Sequence, residues 1–241
     1  MVDPMRLMYA LPGYIRLFIH WHRYSRLPGA EPVRLLYSQP VLGQATGKTG
    51  YDSHYVHQAV WASKRIMAVQ PDYQVDVGSD HRFVTLLTPH LPVIFIDFCP
   101  LMIEMLNLMP VAGNVLELPL ATDSIPSLSC LHVAEHVGLG RYGGPLDPQG
   151  TKKAARELAR VIAPNGNLFF SVPVGQERVC FNAHRIHAAE TIREYFSGLE
   201  LVEFSGVHDD KRFVERVDLT EFKQSEYACG MFWFRKPISD A

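Results

Sequence analysis

Val75-Asp76-Val77-Gly78-Ser79 decides the fold, once it is joined to two later fragments. These are Val93-Ile94-Phe95-Ile96-Asp97 and Gly113-Asn114-Val115-Leu116-Glu117-Leu118-Pro119. An apolar strand carrying an acidic residue runs into a glycine, which has no Cβ and turns sharply. A second apolar strand ends in a carboxylate. Asp97 lies 97 − 76 = 21 positions after Asp76, a spacing that in dinucleotide sites brings an acid to ribose hydroxyls. A polar residue then precedes Leu-Pro. In this order the fragments describe the edge of a Rossmann-like sheet that holds an adenosine-containing ligand.

Outward from that stretch, strand and helix signals alternate, which argues for a parallel sheet. Helices are expected over Tyr55–Val69, over Arg82–Leu87, and from Pro100 through Leu101, Met105 and Leu108. Strands are expected at Val93–Ile96, Leu128–Val133 and Leu168–Val172. The clearest helix spans Lys152–Ile162, where Ala154, Leu158, Val161 and Ile162 form one apolar stripe before Pro164-Asn165-Gly166. A helix at Ala188–Phe196 and strands at Leu199–Phe204 and Met231–Arg235 suggest a C-terminal β-hairpin at one sheet edge.

The region before this core is different. Tyr14, Leu17, Phe18 and Trp21 recur at helical spacing among Arg16, Arg23 and Arg26, after Pro12 and Gly13 are expected to stop any longer helix. A basic aromatic helix of this kind either packs on protein or lies in a membrane interface, so peripheral membrane contact through residues 14–26 is one expectation. Gln39–Gly50 reads as loop. The chain therefore divides into an N-terminal extension, 1–50, and a main domain, 51–241.

Bulk properties narrow the function. A chain of 241 residues that is 47% hydrophobic can bury one substantial core. A net charge of −2 gives no electrostatic footprint for nucleic acid. Cys99, Cys130, Cys180 and Cys229 form no Cys-x-x-Cys pair, and a reducing, cytoplasmic setting is expected. No transmembrane run or signal-peptide pattern is present.

The glycine turn discriminates between ligands. A pyrophosphate needs Gly-x-Gly-x-x-Gly for close backbone approach, whereas here Asp80 and Arg82 follow Gly78. Asp80 would repel phosphate but tolerates a cationic sulfonium, so S-adenosylmethionine is favoured over a nicotinamide dinucleotide. Residues Pro71–Gly175 resemble the class I S-adenosylmethionine-dependent methyltransferases. Asp76-Val77-Gly78-Ser79 is similar to their first motif, Asp97 to their ribose-binding acid, and Gly113–Leu120 to the segment lining adenine. Leu158–Val172 is similar to the helix, turn and fifth strand of that fold.

The resemblance implies an α/β, Rossmann-like doubly wound, mostly parallel seven-stranded sheet with a C-terminal β-hairpin. It also implies S-adenosylmethionine held by Asp76, Gly78, Ser79, Asp97, Asn114, Val115, Leu116 and His132. A closer resemblance, from Tyr51 to about Lys236, is to a methyltransferase-like group, domain of unknown function 268, known from nematodes and bacteria. Its matching segments are His54-Tyr55, Ser129–Gly143 and Phe181–Arg185.

Residues following the fourth and fifth strands belong to the ligand edge of such a sheet. Glu135 or His136 is suited to take a proton from an acceptor as catalytic base. Arg141 and Tyr142, on a glycine-dense loop, are candidate substrate contacts, although Arg141 has Asp147 as an alternative partner. Asn182, His184 and Arg185 are expected to form a second wall, with His54 and Tyr55 closing over the pocket. His132 and His136 stand four apart without a zincin helix, and no metal is expected. The expected reaction is methyl transfer to an oxygen or nitrogen of a small-molecule or glycan-like acceptor. A non-enzymatic binding or scaffold protein on a degenerate version of the fold is the alternative, because of Asp80 and Arg82. The sequence does not specify an oligomeric state.

Overall fold

The computed structural model describes residues 4–42, 47 and 49–238, with side chains described from residue 10 onward. Residues 43–46 and 48 of the expected Gln39–Gly50 loop lie outside the described residues. The chain forms two compact units, Met1–Tyr51 and Asp52–Ala241.

In the first unit, helix α1 (Pro4–Tyr24) continues through Pro12 rather than starting after it. The proline removes one backbone hydrogen bond, which a helix of 21 residues outlasts. Gly13 packs closely: a Cβ there would stand 3.2 Å from Leu42 side-chain carbons. Leu11, Ile15, Phe18 and Ile19 of α1 are exposed. No described helix is long and apolar enough to cross a membrane.

The second unit opens with α2 (Ser53–Val69), capped by the Asp52 carboxylate, which accepts from the His54 and Tyr55 N–H groups. Next come β1 (Gln74–Val77), α3 (His81–Leu87), β2 (Val93–Asp97), β3 (Leu108–Ala112) and β4 (Ile125–Leu131). After them lie α4 (Gly150–Val161), β5 (Ile162–Val174), β6 (Arg178–Cys180), β7 (His184–Ile186) and α5 (Ala189–Tyr195). Strands β8 (Glu200–Val207), β9 (Phe213–Val214) and β10 (Ala228–Arg235) complete the unit.

The main sheet runs β3-β2-β1-β4-β5-β10-β8-β9. Strands β1 to β5 pair in parallel, and β10 lies antiparallel between β5 and β8. The expected parallel core and C-terminal hairpin are therefore present. The two-residue β9 extends the expected seven strands to eight, and β6 and β7 form a separate hairpin. Strand order reverses between β1 and β4, creating a crevice at their carboxyl ends.

The helix expected after Pro100 does not form. Residues 99–107 are loop and turn, and Leu108 begins β3 instead. Pro110 is tolerated in β3 because that strand is the sheet edge. Helix α2 is fastened to β8 by one buried carboxylate oxygen. Glu203 Oε1 accepts from Trp61 Nε1 at 2.8 Å and Arg65 Nη2 at 2.6 Å. That anchorage sets the position of His54 and Tyr55 at the helix start.

Candidate functional site

At the end of β1 the Gly78 backbone adopts φ 70°, and a Cβ there would meet Val133 at 3.1 Å. Both facts require glycine at this turn. Asp76 lies beneath it, fully buried, and does not line the crevice, in contrast to the expected cofactor contact. Its Oδ1 accepts from the Ser79 N–H at 3.0 Å and its Oδ2 is hydrogen-bonded by the Ser129 hydroxyl. Asp76 therefore shapes the turn from inside. Burial pushes its pKa up to about 7, against the lowering effect of the Ser129 and Ser79 hydrogen bonds.

Asp80 caps α3, accepting from the Arg82 N–H at 2.8 Å, and pairs with Arg82 Nη2 at 2.6 Å. Asp80 lines the crevice, whereas Arg82 does not. The residue that occupies the second glycine position thus presents a carboxylate, and its cation sits outside.

Asp97, at the end of β2, has Oδ1 held by the Cys99 N–H at 2.7 Å. Its Oδ2 is 3.7 Å from where a Gly78 Cβ would lie. At Gly113 a Cβ would come within 2.5 Å of Ile96, so the segment entering Asn114 can pass only as glycine. Asn114 Oδ1 accepts from the Leu116 N–H at 3.0 Å, which shapes this wall. Gly78, Asp97 and Asn114–Leu116 border a cavity of about 290 Å³. An adjoining cavity of about 260 Å³ includes Tyr55, Ser79 and Asp80. Asp97, His132, His136 and Tyr142 border both.

The opposite wall is a buried polar cluster. His132 leaves β4 with a left-handed backbone, φ 56°, a conformation that costs a non-glycine residue energy. Its Nδ1 lies 2.8 Å from Glu135 Oε1 and its Nε2 lies 3.4 Å from Cys229 Sγ. Burial opposes the charged imidazole, but the Cys229 sulfur and Glu135 carboxylate outweigh it and push the pKa up to about 10. Burial likewise raises Glu135, and the neighbouring His132 more than compensates, leaving its pKa below the usual value. Glu135 Oε2 is buried with no hydrogen-bond partner.

His54 packs with ring centroids 5.4 Å from His132 and 4.9 Å from Tyr227. Burial, then the His132 charge, lowers its pKa to about 4.

His136 Nδ1 is 2.6 Å from the Ala183 carbonyl oxygen. A carbonyl only accepts, so the hydrogen between them belongs to Nδ1. Arg141 Nη1 lies 3.2 Å from the same nitrogen. His136 Nε2 is 3.6 Å from Glu135 Oε1.

Arg141 lines the larger cavity with Tyr142, donates to the Ala183 carbonyl at 3.2 Å and stacks 5.2 Å from the Tyr142 ring. Asp147, its alternative partner, instead pairs with Lys153 at 2.6 Å. Other expected site residues take different places. Arg185 is buried and donates to the carbonyls of Val137 and Asp147, so it closes the loop rather than facing the cavity. Gly138 fits inside that closure, since a Cβ there would lie 2.1 Å from the Asp147 carbonyl oxygen.

Asn182 is exposed, and neither it nor His184, His54 or Glu135 lines either cavity. His184 packs against Tyr227 at 4.9 Å. Cys229 and Tyr227, on and beside β10, had no sequence signal: Cys229 stands 97 positions from His132.

The fold is that of solved methyltransferases. The N-methyltransferase NodS from Bradyrhizobium japonicum WM9, solved with S-adenosyl-L-homocysteine, superposes with TM-score 0.53 at 17% identity, covering 76% of this chain and 88% of that one. The Burkholderia thailandensis 1,6-didemethyltoxoflavin-N1-methyltransferase gives 0.51 at 16% identity, over 77% and 84%. The [4+2]-cyclase SpnF gives 0.55 at 12% identity, over 81% and 86%. At such identities the likeness carries the fold alone, and SpnF shows that the fold also hosts other chemistry. No curated protein matches the chain. A family model described as Caenorhabditis protein of unknown function, DUF268, matches residues 105–235, more than half of the sequence, and the chain belongs to that family.

Proposed function

We propose that this protein transfers a methyl group from S-adenosylmethionine to an oxygen or nitrogen of a small-molecule or glycan-like acceptor. The observation that carries this reading is one continuous cavity edge at the carboxyl ends of β1, β2 and β4. It presents Gly78, Asp97 and Asn114–Leu116 on one side and His136 on the other.

The donor set fits the cofactor. Asp97 offers a carboxylate oxygen for ribose hydroxyls, Asn114–Leu116 offer an apolar slot for a base, and Asp80 offers negative charge for a cationic tail. The cofactor supplies an electrophilic methyl on a sulfonium. His136 holds its Nδ1 proton on Ala183 and presents Nε2 to receive the proton that an acceptor hydroxyl or amine loses. Glu135, buried behind it, stabilises the imidazolium that results and acts as a positioning residue. Much of the rate enhancement would come from alignment of the two reactants. Tyr142, edge-on to His136 at 6.0 Å, and Arg141 supply the acceptor wall.

Isothermal titration with S-adenosylmethionine and S-adenosylhomocysteine tests this directly. Saturable binding of both is expected, with loss in Asp97→Ala. A folded protein that binds neither would overturn it.

The exposed side chains of α1 support a second element of the same reading. Tyr14, Ile15, Phe18 and Ile19 are exposed beside the exposed Arg16, Arg23 and Arg26, a combination that suits an anionic lipid surface. Co-sedimentation with anionic vesicles is expected, and its persistence after removal of the residues before Gly29 would dismiss the contact.

A further inference from the structure

His54, His132 and Cys229 come from three separate elements: the first turn of α2, the residue after β4, and β10. All three are buried, and one donor atom from each lies within 4.8 Å of the others. Two imidazoles and a thiol gathered in the interior form a nitrogen and sulfur donor set of the kind that soft and borderline cations select. We infer that these three side chains form a metal site for a zinc-type divalent cation at the wall of the cofactor cavity.

The geometry supports a single ion. Zinc bonds of about 2.0–2.1 Å to nitrogen and about 2.3 Å to sulfur place tetrahedral ligands roughly 3.3–3.6 Å apart. His132 Nε2 and Cys229 Sγ already stand 3.4 Å apart. His54 needs only a small inward shift to complete the triangle.

The surrounding shell supports it too. A metal-ligating histidine usually gives its other ring nitrogen to a carboxylate, which fixes the ring and strengthens the ligand. His132 does this, with Nδ1 on Glu135 Oε1 at 2.8 Å. Tyr55 and Tyr227 stack on His132 and His54, at centroid distances of 5.4 and 4.9 Å, and hold the rings. The Glu135 carboxylate behind His132 is fully buried, and one of its oxygens has no hydrogen-bond partner.

Thiolate with imidazole selects zinc, or cobalt as its spectroscopic substitute, over magnesium or calcium. Three protein donors leave a fourth position, the arrangement of zinc sites that also bind water or substrate. His132 lines both cavities, so the ion sits at the edge of the space assigned to the cofactor and acceptor.

The test is done on the full chain without S-adenosylmethionine, so that it does not depend on methyl transfer. The chelator-treated protein is titrated with zinc in competition with a chromophoric chelator, and separately with cobalt. The expected result is one equivalent of each per chain. Bound cobalt should show a thiolate-to-metal charge-transfer band and the intense visible bands of four-coordination. Cys229→Ser should lose the charge-transfer band, while Cys99→Ser, altered at an exposed thiol, should keep it. Glu135→Gln, which leaves all three ligands, should weaken zinc about 10–100-fold.

The wild-type spectrum decides even where a variant folds poorly. Substoichiometric binding, or a cobalt spectrum with no thiolate band, would overturn the site and leave His132 and Cys229 as a simple imidazole–thiol contact. A charge-transfer band that survived Cys229→Ser would also overturn it.

Discussion

The two walls of the cavity face the same space and are built in opposite ways. One wall, Gly78, Asp97 and Asn114–Leu116, consists of strand ends, backbone turns and one half-exposed carboxylate. Its special requirements are local: a left-handed φ at Gly78 and room for the chain at Gly113. The other wall, His132 and His136, is backed by the buried Glu135 and rests on side chains from α2 and β10. The first wall holds its shape through neighbours in the chain, whereas the second depends on partners far away. A substitution in the first should therefore affect binding, and one in the second should affect folding as well.

Glu135→Ala should separate them most sharply. It leaves His132 Nδ1 without its acceptor in a site from which water is excluded. Breaking one side of a buried pair costs roughly 3–5 kcal/mol. Urea denaturation should show that loss, and an unfolding midpoint equal to wild type would mean that the pair is solvated and the contrast between the walls is false.

Asp76→Asn probes the hidden support of the first wall. Its folded pKa of about 7 lies above the ordinary value of 3.8, so the folded state holds the proton more tightly than the unfolded chain. The stabilisation is complete below about pH 4 and is lost as pH rises toward 7, levelling off above it, with a total on the order of a few kcal/mol. Asparagine keeps an acceptor for the Ser79 N–H and gains a donor for Ser129. Denaturation from pH 4 to 8 should show wild type falling relative to the variant across that window. Parallel curves would place the ionised carboxylate in the fold without penalty.

How far each wall was legible in the sequence follows from the same difference. The first wall is written in contiguous segments, and Gly78, Asp97 and Asn114–Leu116 fall along one cavity as the spacing suggested. Asp76 sits in the same motif, but its buried carboxylate is taken up by the Ser79 N–H and the Ser129 hydroxyl, so it props the turn without reaching the cavity. The second wall was visible only in part. His132–His136 could be placed after β4, but nothing local announces Cys229, since a cysteine in an apolar run looks like any small hydrophobe. Arg185 looked like a substrate contact, yet it serves carbonyls of the glycine loop, a role that appears only once that loop is closed. The helix expected after Pro100 failed for a related reason. Leu101, Met105 and Leu108 have helical spacing, but β2 offers a free edge, and the chain uses Leu108–Ala112 to pair with it.

Asp97→Ala should have the converse effect to Glu135→Ala. The carboxylate is only half buried and its one described hydrogen bond is to the Cys99 N–H, so the unfolding midpoint should stay near that of wild type. Hydrogen bonds to a charged acceptor are worth about 1.5–3 kcal/mol, which corresponds to a loss of S-adenosylhomocysteine affinity of roughly 10–150-fold. Calorimetry on the two variants together checks the comparison. If Asp97→Ala unfolded early while binding normally, the two walls would have exchanged roles.

The smallest effect belongs to Arg82→Ala, and it bears on whether the first wall is open to a ligand at all. Arg82 is exposed, pairs with Asp80 and stays outside both cavities. Exposed pairs of this kind contribute little to stability, so the midpoint should not move. Asp80 keeps its capping bond from the backbone N–H of residue 82, which any side chain there supplies. Its carboxylate therefore remains at the cavity edge, and affinity for S-adenosylmethionine should stay within a few-fold of wild type. A large gain in affinity would mean that the Asp80–Arg82 pair obstructs the turn in the native protein. The non-enzymatic scaffold would then be the better account of this fold.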